Sequence, residues 1–262
     1  MTDQLPLSVF IITKNEEDRI ARAIESVSGI AAEIIVVDSG STDSTVKVAE
    51  EAGARVIFNE WPGYGPQKRF GEDQCKHDWL LNIDADEALT PELVQELREL
   101  FESGRNTSAD SWRIMIRDVF PHEEWPTPWA YGYHQIRLYR PDKGRFSASS
   151  VHDTVRPEPG STTKVLQSPI AHRSIRSMTF QVDKYNRYSN MQVADMRARG
   201  RSVPKLRLLA EFPVAFFKGY VMRQYWRYGW WGFVLSMNFA HSRFLRIAKA
   251  YEADLMDNSK TD

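Results

Sequence analysis

Three short polar segments carry acids, hydroxyls and amides suited to binding a charged small molecule, and each closes an apolar run. They are Thr13-Lys14-Asn15-Glu16, Asp38-Ser39-Gly40 and Asp84-Ala85-Asp86-Glu87. Carboxylates such as Asp84 and Asp86 suit a hard divalent cation, Mg²⁺ or Mn²⁺. Such ions take oxygen ligands and keep positions for phosphate and water, so one or two acids suffice. Asp38 can accept hydrogen bonds from a base or ribose, or it can serve its own turn. Farther along, Val151-His152-Asp153-Thr154-Val155 frames one imidazole and one carboxylate. A carboxylate is a suitable base for a hydroxyl proton, which makes Asp153 the candidate. His152 and His172 can orient that base, bind phosphate or complete a metal shell, and the sequence leaves these open. Arg137, Arg140 and Arg173 are candidates for phosphate, which guanidinium meets in a fork geometry, with Arg173 foremost. Trp125, Trp129 and Tyr131 are flat enough to face sugar rings, or to fill a subdomain core.

These residues need a scaffold that brings strand ends together. Leu7–Thr13, Glu33–Val37, Ala54–Phe58 and Asp78–Ile83 read as strands. Between them, helices are expected from Asn15 or Asp18 through Val27, from Ser41 or Thr42 through Ala52, and from Gly65 to Lys76. Thr90, with Pro91 at the first helical position, opens another. Alternating strand and helix with continuous apolar runs indicates a parallel sheet covered on both faces, in which ligands sit beyond the carboxyl ends of the strands. Past Glu102 the pattern is irregular, with strands near Ser111–Val119 and Gln135–Arg140. From Met178 to Glu252 it is helical, interrupted near Gly200–Pro204.

Several classes are disfavoured. A nicotinamide-binding fold needs a Gly-rich turn after the first strand, where this chain has Thr13-Lys14-Asn15-Glu16-Glu17. Cys75 is the single cysteine, so no internal disulfide framework is possible, and a reducing, cytoplasmic setting fits. No run reaches the roughly 18 to 20 apolar residues that span a bilayer. The net charge of −1 hides an asymmetry: residues 197–250 hold eleven Lys or Arg against the single acid Glu211, whereas residues 1–196 hold 22 basic and 30 acidic side chains.

Taken together, FIITKNEE, IIVVDSGSTDST, Gln67-Lys68-Arg69 and WLLNIDADE resemble the family 2 glycosyltransferases in order and spacing through about residue 102. The resemblance implies an α/β GT-A fold, Rossmann-like with a mostly parallel sheet flanked by helices, and a C-terminal helical extension. It implies a metal-dependent, inverting hexosyltransferase. Thr13, Glu16, Asp38 and Lys68 would surround the nucleotide, Asp84 the ribose and Asp86 the divalent ion. His172, with Arg173, would lie near the donor phosphates, and Asp153 would be the base. Within the family the lipopolysaccharide core glucosyltransferases are most similar. They often read Val-His-Glu where this chain reads Val-His-Asp, which shortens the base's reach. The implied donor is UDP-glucose and the implied acceptor the lipopolysaccharide inner core. Another surface glycan is the alternative, or a sugar nucleotidyltransferase, whose Gly-rich phosphate loop is missing.

The expected organisation is a catalytic domain over 1–200, with a nucleotide-sugar half (1–102), an acceptor half (103–177) and a connecting helix (178–200). A basic, aromatic-rich extension follows over 201–262. There Phe233, Met237, Ala240, Phe244, Ile247 and Tyr251 form a heptad-like stripe that needs a partner: the helix over 205–222, the catalytic body or a second subunit. Arg223, Arg227, Arg243, Arg246 and Lys249, with Trp226, Trp230 and Trp231, suit anionic headgroups. They point to peripheral attachment at the inner membrane rather than to nucleic acid.

Overall fold

The computed structural model describes residues 4–149, 154–200 and 203–258. Strand β1 (Leu5–Thr13) pairs in parallel with β2 (Ala31–Asp38) and β4 (Trp79–Asn82), and β2 pairs in parallel with β3 (Arg55–Phe58). Successive side chains on a strand face opposite ways. Leu7, Val9 and Ile11 accordingly enter one core, with Ile20, Ile24 and Val27 of helix α1 (Ile20–Ser28). Phe10 and Ile12 enter a second, with Val37, Leu80, Tyr139 and Phe146. Two cores explain why Val9 to Ile12 are apolar at every position rather than at alternate ones.

Helices α2 (Thr45–Glu51), α3 (Tyr64–Asp73) and α4 (Pro91–Glu102) alternate with these strands. The Thr90 side chain accepts from Leu93 N–H, and Leu93, Leu97 and Leu100 form the buried stripe of α4. The first two helices start later than the capping residues suggest. Asn15 and Ser41 bond across the two loops instead of capping their own helices.

Strands β5 (Glu87–Leu89), β6 (Ser111–Asp118), β7 (Gly132–Tyr139) and β10 (Thr163–His172) complete the sheet, while β8 (Gly144–Phe146) and β9 (Val155–Pro157) form a separate pair. Among the described residues the large sheet has eight strands in the order β3-β2-β1-β4-β7-β6-β10-β5, six of them running one way, with β7 and β5 opposed. This is the mostly parallel sheet expected of a GT-A fold. Strand β5 was not legible locally: three buried residues after a turn have no periodicity to read, and their pairing partner lies in β10.

Residues 1–126 and 132–174 make one compact unit, and residues 127–131 with 175–262 make another. In the second unit α5 (Met178–Ala198) packs on α7 (Gly229–Asn258). Val193, Val203, Ile247 and Ala250 form its small core, and Lys249 Nζ reaches Asn186 Oδ1 (2.6 Å) and Asn190 Oδ1 (2.6 Å). Helix α6 (Leu206–Phe217) also packs on α7. The chain breaks again between them, where Gln224 (φ 58°) and Gly229 (φ 57°) take left-handed backbone. Of the heptad-like stripe, Ala240 and Ile247 are buried while Phe233 and Met237 stay exposed.

Candidate active site

The loops leaving β1 and β2 are bonded to each other. Asn15 sits in the left-handed region (φ 57°). Its N–H donates to Ser41 Oγ (2.9 Å), and its Oδ1 accepts from Thr42 N–H (2.8 Å). Glu16 N–H donates to Thr45 Oγ1 (2.7 Å), and Ser44 N–H donates to Glu17 Oε2 (2.9 Å). Asp38 accepts from Gly40 N–H (2.8 Å), Ser41 N–H (3.0 Å) and the Ser41 hydroxyl, so most of its roughly four acceptor positions shape the turn. The Thr13 hydroxyl beside it is buried with no hydrogen-bond partner among the described residues, which suits it to meet a ligand group. Gln67 of α3 is fully buried and donates to Ser39 Oγ (2.9 Å), which fixes the far wall of this corner.

At the end of β4 the charges form a tight cluster. Lys68 Nζ, with no exposed surface, is 2.8 Å from Asp84 Oδ1. Arg137, equally buried on β7, holds Asp84 Oδ2 (3.0 Å), Glu87 Oε1 (2.6 Å) and Asn82 Oδ1 (2.6 Å). Glu87 Oε2 accepts from Asp84 N–H (2.9 Å). Burial alone would raise the Asp84 pKa, but Lys68 and Arg137 outweigh it and hold this carboxyl far below the usual range. Burial pushes Glu87 up, against the pull of Arg137. Arg137 is therefore a structural clamp on the acidic turn and not a free phosphate ligand. Glu87 belongs to the same clamp.

Asp86 lies in a second group. The register of β6, β10 and β5 sets Asp118 opposite His172 and His172 opposite Glu87. His172 Nδ1 is 3.2 Å from Asp118 Oδ1, and His172 Nε2 is 3.4 Å from Asp86 Oδ2. Burial disfavours the imidazolium, yet hydrogen bonds to Asp118 and Asp86 raise the His172 pKa to about 10. Burial likewise opposes ionisation of Asp86, but His172 and Arg19 lower its pKa. Arg19 bonds Glu16 through Nε (2.8 Å) and reaches Asp86 Oδ2 (3.4 Å), so Glu16 is gathered to the Asp86 side of the site. A cavity of about 240 Å³ opens here, lined by Arg19, Arg22, Asp86, Glu87 and Arg173 among others.

Arg173 N–H donates to the Asp86 carbonyl (2.8 Å), while its guanidinium donates to the carbonyls of Glu123 (2.9 Å) and Glu124 (2.6 Å). It ties the loop after β6 to the acidic turn. Trp125 on that loop lies under Arg22, 5.0 Å from ring to guanidinium. Trp129 and Tyr131 belong to the helical unit, where Arg227 and Arg223 sit over their rings at 5.4 and 4.1 Å, so cations already cover those faces. His152 and Asp153 lie outside the described residues.

The donor set fits a divalent cation. Two ligands of one octahedral ion at about 2.1 Å lie roughly 3 Å apart, close to the 3.4 Å between Asp86 Oδ2 and His172 Nε2. A carboxylate and imidazole that share a proton are also the donors that hold a metal once that proton leaves. No group of three or more His, Cys, Asp or Glu able to hold a metal occurs among the described residues. Sequence reasoning missed Arg19 and Asp118. Asp118 does end an expected strand, but only its register with β10 shows what it serves.

Acids, a buried lysine and a histidine gathered at the carboxyl ends of a mostly parallel sheet define a GT-A transferase. A model of "Glycosyl transferase family 2" matches residues 8–157. The chain belongs to that family. A glycosyltransferase of Rickettsia felis is 41% identical, covering 94% of this chain and 90% of its own length. The lipopolysaccharide core biosynthesis glycosyltransferase LpsC of Rhizobium meliloti is 34% identical, over 96% of this chain and 94% of its own. Among solved structures, TarS of S. aureus aligns over 96% of this chain and 91% of that chain with 12% identity and a TM-score of 0.46.

Proposed function

We propose that this family 2 glycosyltransferase moves a hexose, glucose first among candidates, from a UDP-sugar to a hydroxyl of a lipid-linked glycan, with inversion at the transferred carbon. The observation that carries the reading is the pairing of two differently tuned acids at one strand end. Asp84 is locked between Lys68 and Arg137, and Asp86 stands with His172 and Arg19. In this reading Thr13, Asp38 and Lys68 line the nucleotide, with Asp84 oriented toward the ribose. Asp86 and His172 hold Mg²⁺ or Mn²⁺, with Asp118 fixing the imidazole. Glu16, Arg19 and Arg173 edge the diphosphate. A bound divalent ion would neutralise charge on the departing diphosphate, which removes the need for a general acid.

The chain's own residues supply the rest. Arg137 keeps the acidic turn rigid, so Asp84 and Asp86 need no reorganisation when donor arrives. Asp153 takes the acceptor hydroxyl's proton. A cleft of about 390 Å³, lined by Arg113, His134, Thr154 and Arg156 among others, supports an acceptor with anionic groups. The likeness to LpsC favours the lipopolysaccharide core as the acceptor. The cytoplasmic face of the inner membrane is the corresponding location.

The test is release of nucleotide from a panel of UDP-, GDP- and dTDP-sugars with Mg²⁺, with Mn²⁺ and with chelator. UDP released from a UDP-hexose and lost on chelation is the expected result. Turnover of another nucleotide class, or full rates in chelator, would overturn donor or metal respectively.

A further inference from the structure

Helix α6 is amphipathic in the wrong sense for a helix with only a protein partner. At 100° per residue, Leu206, Leu209, Pro213 and Phe217 follow spacings of three, four and four and share one face, with Val214 at its edge. That face is outward: Leu206 is 75%, Leu209 77%, Val214 64% and Phe217 58% exposed. The opposite face carries the buried Ala215, followed by the buried Gly219, where a Cβ would come within 3.3 Å of Phe239 on α7. Helix α6 therefore meets α7 through Leu208, Ala215 and Phe216, whose ring sits edge-on to Phe233 at 5.6 Å, and turns Leu206, Leu209, Val214 and Phe217 to solvent. Trp230, at the start of α7, is 87% exposed, and Trp226 just before it is half exposed.

Cations flank this apolar strip. By helical position Lys205 lies on one side of it, and Arg207 and Lys218 on the other. Glu211 is consumed by Arg207, Arg243 and Arg246, which leaves no free acid on α6. Large aliphatic and aromatic side chains bordered by Lys, with exposed Trp beside them, are the composition that settles into the headgroup boundary of a bilayer. No helix among the described residues is long and apolar enough to cross a membrane, so such a face would lie on the surface. A second copy of the chain is a poorer occupant, because a two-fold pairing of this strip would bring like charges together at both borders.

We infer that the outer face of α6, extended by Trp230, whose ring meets Phe233 and through it Phe216 of α6, docks this protein on an anionic lipid surface. This centres the lipid contact on the outer face of α6 rather than on the basic residues around the α7 stripe, and it goes beyond the transfer reading without depending on it.

The full-length protein is mixed with phosphatidylcholine vesicles, with and without phosphatidylglycerol, and bound protein is measured by co-sedimentation. Binding is expected with phosphatidylglycerol only and should weaken as salt rises. The double variant Leu209→Glu/Phe217→Glu should lose at least about tenfold in partitioning, since 1.4 kcal/mol corresponds to tenfold and each side chain contributes more than half of that when buried. Lys205→Glu/Lys218→Glu should lose binding at low salt while keeping its urea midpoint. Unchanged urea midpoints show that the variants fold, independently of any transfer activity. The inference is overturned if phosphatidylglycerol gives no enrichment or if both double variants bind like the parent. It is also overturned if sedimentation shows a dimer that Leu209→Glu/Phe217→Glu splits while the parent ignores vesicles.

Discussion

Replacing Asp86 by alanine should separate catalysis from folding. The Asp86 carboxylate makes two side-chain contacts, to His172 Nε2 and to Arg19, both at 3.4 Å. Charge-assisted bonds are normally about 2.7–2.9 Å, so these are loose. The strong bond at this residue, Arg173 N–H to the Asp86 carbonyl at 2.8 Å, belongs to the backbone and survives the substitution. The neighbouring Asp84 charge also opposes ionisation of Asp86, and its removal relieves that repulsion. The stability change should therefore stay within about 1.5 kcal/mol, the low end for hydrogen bonds to charged groups. Turnover should respond differently. A metal acting on a leaving diphosphate is worth several kcal/mol, and about 4 kcal/mol corresponds to roughly a thousandfold in rate. The assay is UDP release across a Mn²⁺ titration, beside urea unfolding of the same preparation. A variant that turns over within about tenfold of the parent, with an unchanged Mn²⁺ response, would refute the assignment, since a tenfold loss is only about 1.4 kcal/mol.

The opposite pattern is expected for Arg137→Met. Asp84 would keep Lys68, but Glu87 and Asn82 would lose their buried donor, so stability should fall by about 3–5 kcal/mol in urea unfolding. A loss under about 1 kcal/mol would show that the acidic turn holds without the clamp. Asp118→Asn should weaken Mn²⁺ affinity by roughly 10- to 100-fold in a paramagnetic titration, because the imidazole loses the carboxylate that orients it. Unchanged affinity would leave Asp118 with a structural role alone. Burial, with Glu33 and Glu72 nearby, pushes the Cys75 thiol up to about 12, so the thiolate is scarce at pH 8. The folded protein should resist iodoacetamide that labels it readily in urea, and rapid native labelling would contradict that burial.

The nucleotide half was legible because its signals are local. Apolar runs mark β1 to β4, those of β1 and β4 buried on both faces, and the acids at the ends of β1, β2 and β4 lie where a parallel sheet exposes its carboxyl ends. The positions of Thr13, Asp38, Asp84 and Asp86 at or just past strand ends could therefore be read from spacing. Strands β5 and β10 resisted for the converse reason. Strand β5 is three residues long, and β10 pairs with segments more than fifty residues away, so neither carries its partner in its own pattern.

By itself, then, the sequence determined a parallel α/β sheet with acids at its strand ends and a helical, basic C-terminal segment, because periodicity and local turn chemistry are properties of contiguous residues. Tertiary structure alone decided that Arg137 clamps Asp84 and Glu87, that Asp118 reaches Asp86 through His172, and that Arg19 joins Glu16 to the same acid. It also decided which side of α6 faces outward. Each of these depends on strand register or helix packing between distant segments, and a one-residue change in register would turn the same side chains to the other face.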